Sequence, residues 1–139
     1  MTRTSSGKLF LIGTLARRTG VNIETIRYYE RVGVLAPPSR SEGRHRLYDE
    51  DYVHRLTFVR RCRELGFSID DVRALLRLVD AGGADCTSTK DITLRHLDDV
   101  RGKIASLKKL EKALKTMADA CRPGRQATCP ILDALSEAA

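Results

Sequence analysis

No stretch of this 139-residue chain approaches the roughly 18 consecutive apolar residues that a helix needs to cross a bilayer. The opening residues, Met1 to Lys8, are polar and lack the apolar segment of a secretory signal. A cytoplasmic location with no membrane partner is expected. Catalytic groupings are missing as well. The pattern offers no paired carboxylates, no Ser-His-Asp set and no phosphate-cradling glycine loop, which argues against an enzyme. Cysteine is sparse, with four in all. In a reducing compartment so few thiols do not make a disulfide scaffold, and metal binding or redox sensing is their expected use.

What is present points to a folded, helix-rich protein, 42% hydrophobic and 31% charged. The formal charge is +7, and residues 1–80 carry 15 Lys and Arg against 10 Asp and Glu. A basic first half suits an acidic polymer, most simply nucleic acid.

Apolar residues Leu9, Ile12, Leu15 and Ala16 predict a one-sided helix ending at Gly20. Asn22 caps a second, with Thr25, Arg27, Tyr28, Glu30 and Arg31 interleaved among Ile23, Ile26 and Tyr29, and Gly33 ends it. Two short helices joined at Gly20 and Val21 make a helix-turn-helix, whose second helix suits the major groove of DNA. From Ala36 to Arg46 the chain has Pro37, Pro38, Ser39, Ser41 and Gly43 among arginines, Arg40 and Arg44 included, and His45. That is the chemistry of a hairpin or wing facing phosphates.

A third helix begins near Asp49, with Val53, Leu56, Val59 and Leu65 on one face and Arg55, Arg60, Arg61 and Arg63 around the rest. Cys62 in this segment reads as a small buried side chain. Gly66 and Phe67 break the helix. Ser68, three residues before Asp71, caps a fourth through Val72, Leu75, Leu76 and Val79, ending at Gly82 and Gly83. Ser88, three before Asp91, is the expected cap of a long final helix. Its apolar positions Leu97, Val100, Ile104, Leu107 and Leu114 follow the alternating steps of a coiled coil, with Glu111 out of register beside Leu110. A single stripe on one long helix is most simply buried against a second copy.

Cys86 precedes this helix, while Cys121 and Cys129 bracket a loop at its far end. At about 1.5 Å rise per residue the helix spans roughly 50 Å, so one chain cannot gather the three thiols. Two chains with antiparallel helices can, which predicts a soft-metal site at a subunit junction. Cys86 and Cys129, the latter before Pro130 at the start of a short helix over 130–135, sit where the positive end of a helix favours thiolate. Arg122 beside Cys121 offers a compensating charge. The loop from Arg122 to Thr128 contains no His, Asp or Glu. Three sulfurs without an evident fourth ligand suit mercury(II) first, then lead(II) and cadmium(II). Asp85, Asp119, His96 or a water would complete a tetrahedral zinc site.

With these residues in view the chain resembles the MerR family of metal-responsive transcription regulators. The resemblance lies in Ile12-Gly-Thr-Leu-Ala-Arg-Arg-Thr-Gly20, Thr25-Ile-Arg-Tyr-Tyr-Glu30, Arg46-Leu-Tyr48 and Leu65-Gly-Phe67, and covers roughly residues 9–135. It implies a mainly α protein: a winged helix-turn-helix DNA-binding domain (9–80), an antiparallel coiled-coil dimerisation helix (86–120), and a metal-binding loop with a short helix (121–139). It further implies a homodimer on double-stranded promoter DNA, working with RNA polymerase. Bound metal would distort a promoter with an overlong spacer and so activate transcription. By the same likeness Arg27 and Tyr28 contact DNA from the second helix, His45, Arg46 and Tyr48 from the wing, and Arg60 and Arg63 from the third helix. Cys86, Cys121 and Cys129 match the family's divalent-metal sensors. The seven residues between Cys121 and Cys129 are nearer to its copper(I) sensors, but those resemble this chain with Ser in place of Cys86. The extra thiolate favours a divalent ion. A copper(I) sensor of the same family and a metal-free thiol redox switch are the alternatives.

Overall fold

The computed structural model describes residues 7–40, 43, 45–124 and 128–137. Arg44 of the expected wing and residues 125–127 of the inter-cysteine loop lie outside them. The chain divides into two compact units, residues 1–92 and 93–139.

In the first unit, α1 (Ile12–Thr19) and α2 (Ile23–Arg31) form the two helices of the turn. Gly20 ends α1 at φ 73°, a left-handed conformation that only glycine adopts without strain, and its amide donates to the Ala16 carbonyl at 2.9 Å. Asn22 Oδ1 accepts the Thr25 amide at 2.8 Å, capping α2 as its sequence position predicts. α1 starts later than the apolar pattern suggests. Leu9 lies outside it and is exposed, because Phe10 pairs in an antiparallel bridge with Tyr48 and keeps this stretch extended.

A minimal hairpin follows, β1 (Ser39–Arg40) with β2 (Arg46–Leu47), in which Ser39 faces Leu47 and Arg40 faces Arg46. Then α3 (Glu50–Glu64) begins behind Asp49, whose carboxylate accepts the Tyr52 amide. α4 (Ile69–Asp80) begins behind Ser68, whose hydroxyl accepts from Asp71.

Leu15, Ile26, Leu35, Tyr48, Leu56, Val59 and Val72 are fully or almost fully buried and form one core with Ile92 from the next helix. Each such aliphatic side chain contributes about 1.5–3 kcal/mol by leaving water. Two positions assigned to this core fall outside it: Leu65, the residue capping α3, and Val79, in the last turn of α4, are both exposed. Polar links bind the elements further. Arg18 of α1 grips Glu50 of α3 with two nitrogens, and Arg55 of α3 donates to the Val34 carbonyl at 3.3 Å while pairing with Asp80.

α5 (Cys86–Ala120) is one continuous helix of 35 residues, beginning in the first unit. Its start corrects two expectations. The helix opens at Cys86 itself, and the cap is Asp85, not Ser88: Asp85 Oδ1 accepts the Ser88 amide at 3.0 Å and Oδ2 the Ser88 hydroxyl at 2.6 Å. A carboxylate three positions before the predicted cap simply reaches the first orphan amides sooner.

In the second unit Leu97, Ile104, Leu107, Leu110 and Leu114 are all exposed, as are Leu132 and Leu135 of the closing helix α6 (Pro130–Ser136). Among the described residues no helix is long and apolar enough to cross a membrane.

Candidate nucleic-acid interface and thiol site

The N-terminal turn of α1, the exposed side of α2 and the wing enclose an open concavity of about 410 Å³, lined by Leu11, Ile12, Gly13, Thr14, Arg17, Arg27, Arg40, His45 and Arg46. Four guanidinium groups and an imidazole thus share one hollow. That density of donors, beside a helix shaped for a groove, suits a polyanion. Arg27 projects from α2, half exposed and paired with Glu24 one turn earlier at 2.9 Å, an exposed link that DNA can replace at little cost. Arg17 was not foreseen in this group. It donates to the Thr14 hydroxyl at 3.1 Å, and its sequence signal was only a basic residue in the last turn of α1.

Not every expected contact gathers here. Tyr28 is exposed on α2 with the Arg31 guanidinium 5.8 Å from its ring centre, and it does not line the concavity. Arg60 sits by the helix-turn-helix turn, its Nη1 3.7 Å from where a Cβ on Gly20 would lie and 3.5 Å from Glu64. Arg63 donates to the Phe67 carbonyl at 2.7 Å, bracing the α3–α4 turn.

Tyr48 requires a correction. It is wholly buried, edge-on to Tyr52 with ring centres 5.0 Å apart, so its side chain supports the wing from beneath and offers DNA no surface. Its hydroxyl donates to Glu30 Oε1. Burial, and after it this bond to a carboxylate, pushes the phenol far above the usual tyrosine range.

A raised folded-state value means that Tyr48's contribution to stability is whole below the unfolded value of about 10 and is lost as pH rises beyond it. The urea midpoint of the wild type should therefore fall above pH about 10 more steeply than that of Tyr48→Phe. Parallel curves for the two proteins would contradict this.

The thiols divide into two kinds. All four cysteines are free, and Cys62 is buried, which pushes its thiol up, as the packing reading expects. Cys86 is exposed at the first position of α5. Cys121 follows the last residue of α5, and Cys129 is the residue before Pro130 that opens α6; both are half-buried. Among the described residues no three His, Cys, Asp or Glu side chains of the chain converge on one point. Asp85, a possible fourth ligand by sequence, has both oxygens engaged by Ser88, and those bonds hold its carboxyl below the usual range.

Fold and basic hollow together define a winged helix-turn-helix DNA-binding protein with a long terminal helix. Two family models match it, "MerR HTH family regulatory protein" over residues 10–78 and "MerR, DNA binding" over residues 53–117. The chain belongs to the MerR family of metal-responsive transcription regulators, a family of DNA-binding proteins and not of enzymes.

A mercuric resistance operon regulatory protein of Bacillus cereus is 40% identical over 127 residues, 91% of this chain and 96% of that one. The lead(II) complex of a transcription regulator from Ralstonia metallidurans CH34 is similar at 36% identity and a TM-score of 0.79, with 91% of this chain and 99% of that one covered. The mercury(II) complex of a MerR regulator from Bacillus megaterium MB1 gives 36% and 0.71, with 92% and 100% covered.

Proposed function

We propose that this protein is a cytoplasmic homodimer that binds promoter DNA and, with RNA polymerase, activates transcription when a thiophilic divalent ion binds Cys86 of one protomer together with Cys121 and Cys129 of the other. The observation that carries this reading is the placement of the free thiols: Cys86 opens α5, Cys121 follows its last residue, and Cys129 precedes α6. A helix of 35 residues is about 52 Å long, so ligands at its opposite ends serve one ion only if a second, antiparallel copy supplies part of the set. The exposed stripe Leu97, Ile104, Leu107, Leu110 and Leu114 supports such pairing.

Mercury(II) is the first choice, ahead of lead(II), cadmium(II) and zinc(II). Three sulfurs without an evident fourth ligand suit the softer ions, whereas structural zinc takes four. Regulators of this kind in complex with mercury(II) and with lead(II) are among the similar structures, and both ions belong in the test. When bound, the ion supplies charge neutralisation of three thiolates and a crosslink between protomers. The chain's own residues supply the DNA grip, with Arg27 and Tyr28 on α2, His45 and Arg46 on the wing, and Arg60 and Arg63 on α3.

In vitro transcription from the protein's own promoter, across zinc, cadmium, lead, mercury and copper(I), tests the assignment. Induction at the lowest free concentration by mercury(II) is expected. Induction by copper(I) alone, or by peroxide without metal, would replace it with the monovalent or redox reading. For the DNA face, Arg27→Ala should weaken specific binding by roughly 1–3 kcal/mol if it reads a base edge. Anisotropy titrations against specific and random duplexes check this, since an equal loss on both makes Arg27 a phosphate contact.

A further inference from the structure

Charge is buried where the wing meets α2. Glu30, the residue before the end of that helix, has a side chain only 10% exposed, and its two oxygens have separate partners. Oε1 accepts from the Tyr48 hydroxyl, and Oε2 lies 3.3 Å from Arg46 Nε. The Arg46 nitrogen is itself buried and outside hydrogen-bond geometry, so the link is an ion pair. Across the hairpin Arg46 stands opposite Arg40, an arrangement of like charges that weakens a strand pair. A hairpin with two residues in each strand is marginal in any case.

We propose that Glu30 is a positioning residue for DNA binding: anchored by Tyr48, its carboxylate holds Arg46 by Nε and so fixes where the wing enters the DNA. This rests on the reading of α2 and the wing as the DNA-contacting face. Holding Arg46 by Nε leaves both Nη nitrogens, with four of its five N–H donors, for phosphate oxygens. The proposal differs in sign from a plain charge count. A carboxylate next to a basic hollow repels DNA phosphates, so on charge alone its removal tightens binding. On the positioning account its removal loosens binding, because Arg46 loses its register.

The test uses the full-length protein and a duplex that the wild type selects from a random pool, titrated by anisotropy at several potassium chloride concentrations. Glu30→Gln retains an acceptor for Tyr48 and should weaken binding on the order of tenfold, as expected for a lost charge-assisted contact. The salt slope should become shallower by about one phosphate contact. Arg46→Ala should do the same, and the double variant should bind no more weakly than Arg46→Ala alone.

Unchanged or tighter binding by Glu30→Gln, or losses that add in the double variant, would overturn the proposal. Should Glu30→Gln lose its helical circular dichroism, Glu30→Asp carries the test, since it keeps the charge but is one methylene too short to hold both partners. The same coupled loss is expected, and wild-type affinity would refute it. Arg46→Ala binding like the wild type at every salt concentration would remove the wing from the DNA face altogether, and with it the reading on which Glu30's role depends.

Discussion

Serine in place of Cys86, Cys121 or Cys129, one at a time, should abolish metal-induced transcription while operator affinity stays close to that of the wild type. The three thiols belong to α5, the residue after it, and the cap of α6, and none lines the basic concavity. Changes to groups that merely orient metal ligands cost about 10- to 100-fold in metal affinity, and loss of a ligand sulfur should exceed that. With only three thiols in the proposed site and Cys62 buried elsewhere, no further sulfur takes the vacant place. Titrating metal against a competing chelator reads the affinity, and run-off transcription reads the response. Cys62→Ser is the internal control: its side chain is buried in the core of the first unit and should leave induction intact. If all three serine variants still respond to metal, the thiol assignment is wrong.

The second large effect is expected from Leu107→Asp. Leu107 is 63% exposed and lies in the stripe of the second unit with Ile104, Leu110 and Leu114. In a two-fold interface every substitution occurs twice. Loss of the burial of two leucines removes about 3–6 kcal/mol at about 1.5–3 kcal/mol each, and the buried carboxylates add their own desolvation cost. At about 1.4 kcal/mol per tenfold, the dimer weakens by two to four orders of magnitude. The variant should sediment as a monomer, retain the helical signal of its first unit, and lose metal binding and high-affinity operator binding together. A Leu107→Asp protein that remains dimeric and inducible would show that the stripe is not the pairing surface.

How much of this was legible in the sequence depended on the range of the interaction. The caps at Asn22 and Ser68 and the helix end at Gly20 act within four residues and match the sequence reading, because short polar side chains and glycine have few other uses at helix ends; Asp49, read only as the start of α3, proves to be its cap. The start of α5 was misjudged for a related reason. Asp85 and Ser88 both fit a cap, and only the observed bonds choose between them. Contacts across longer separations left no local trace. Tyr48 belongs to a stretch that resembles a DNA-binding signature, yet it is fully buried beneath the wing, bonded to a glutamate 18 residues earlier. The entry of Arg17 into the basic hollow likewise depends on how α1 lies against the hairpin, which periodicity does not encode. Leu65 fitted the apolar face of α3 by spacing but is 69% exposed, because the helix ends there and the residue lies beyond its last regular turn.

The central claim is that each metal ion draws ligands from two chains, and a mixed dimer tests it most directly. One protomer carries Cys86→Ser, its partner carries Cys121→Ser and Cys129→Ser, each bears a different affinity tag, and the heterodimer is isolated through both. Shared ligation predicts one intact three-sulfur site per heterodimer, seen as one equivalent of tightly bound mercury(II) with thiolate charge-transfer absorbance, while neither parent homodimer binds comparably. A heterodimer that binds no more metal than its parents would contradict the account.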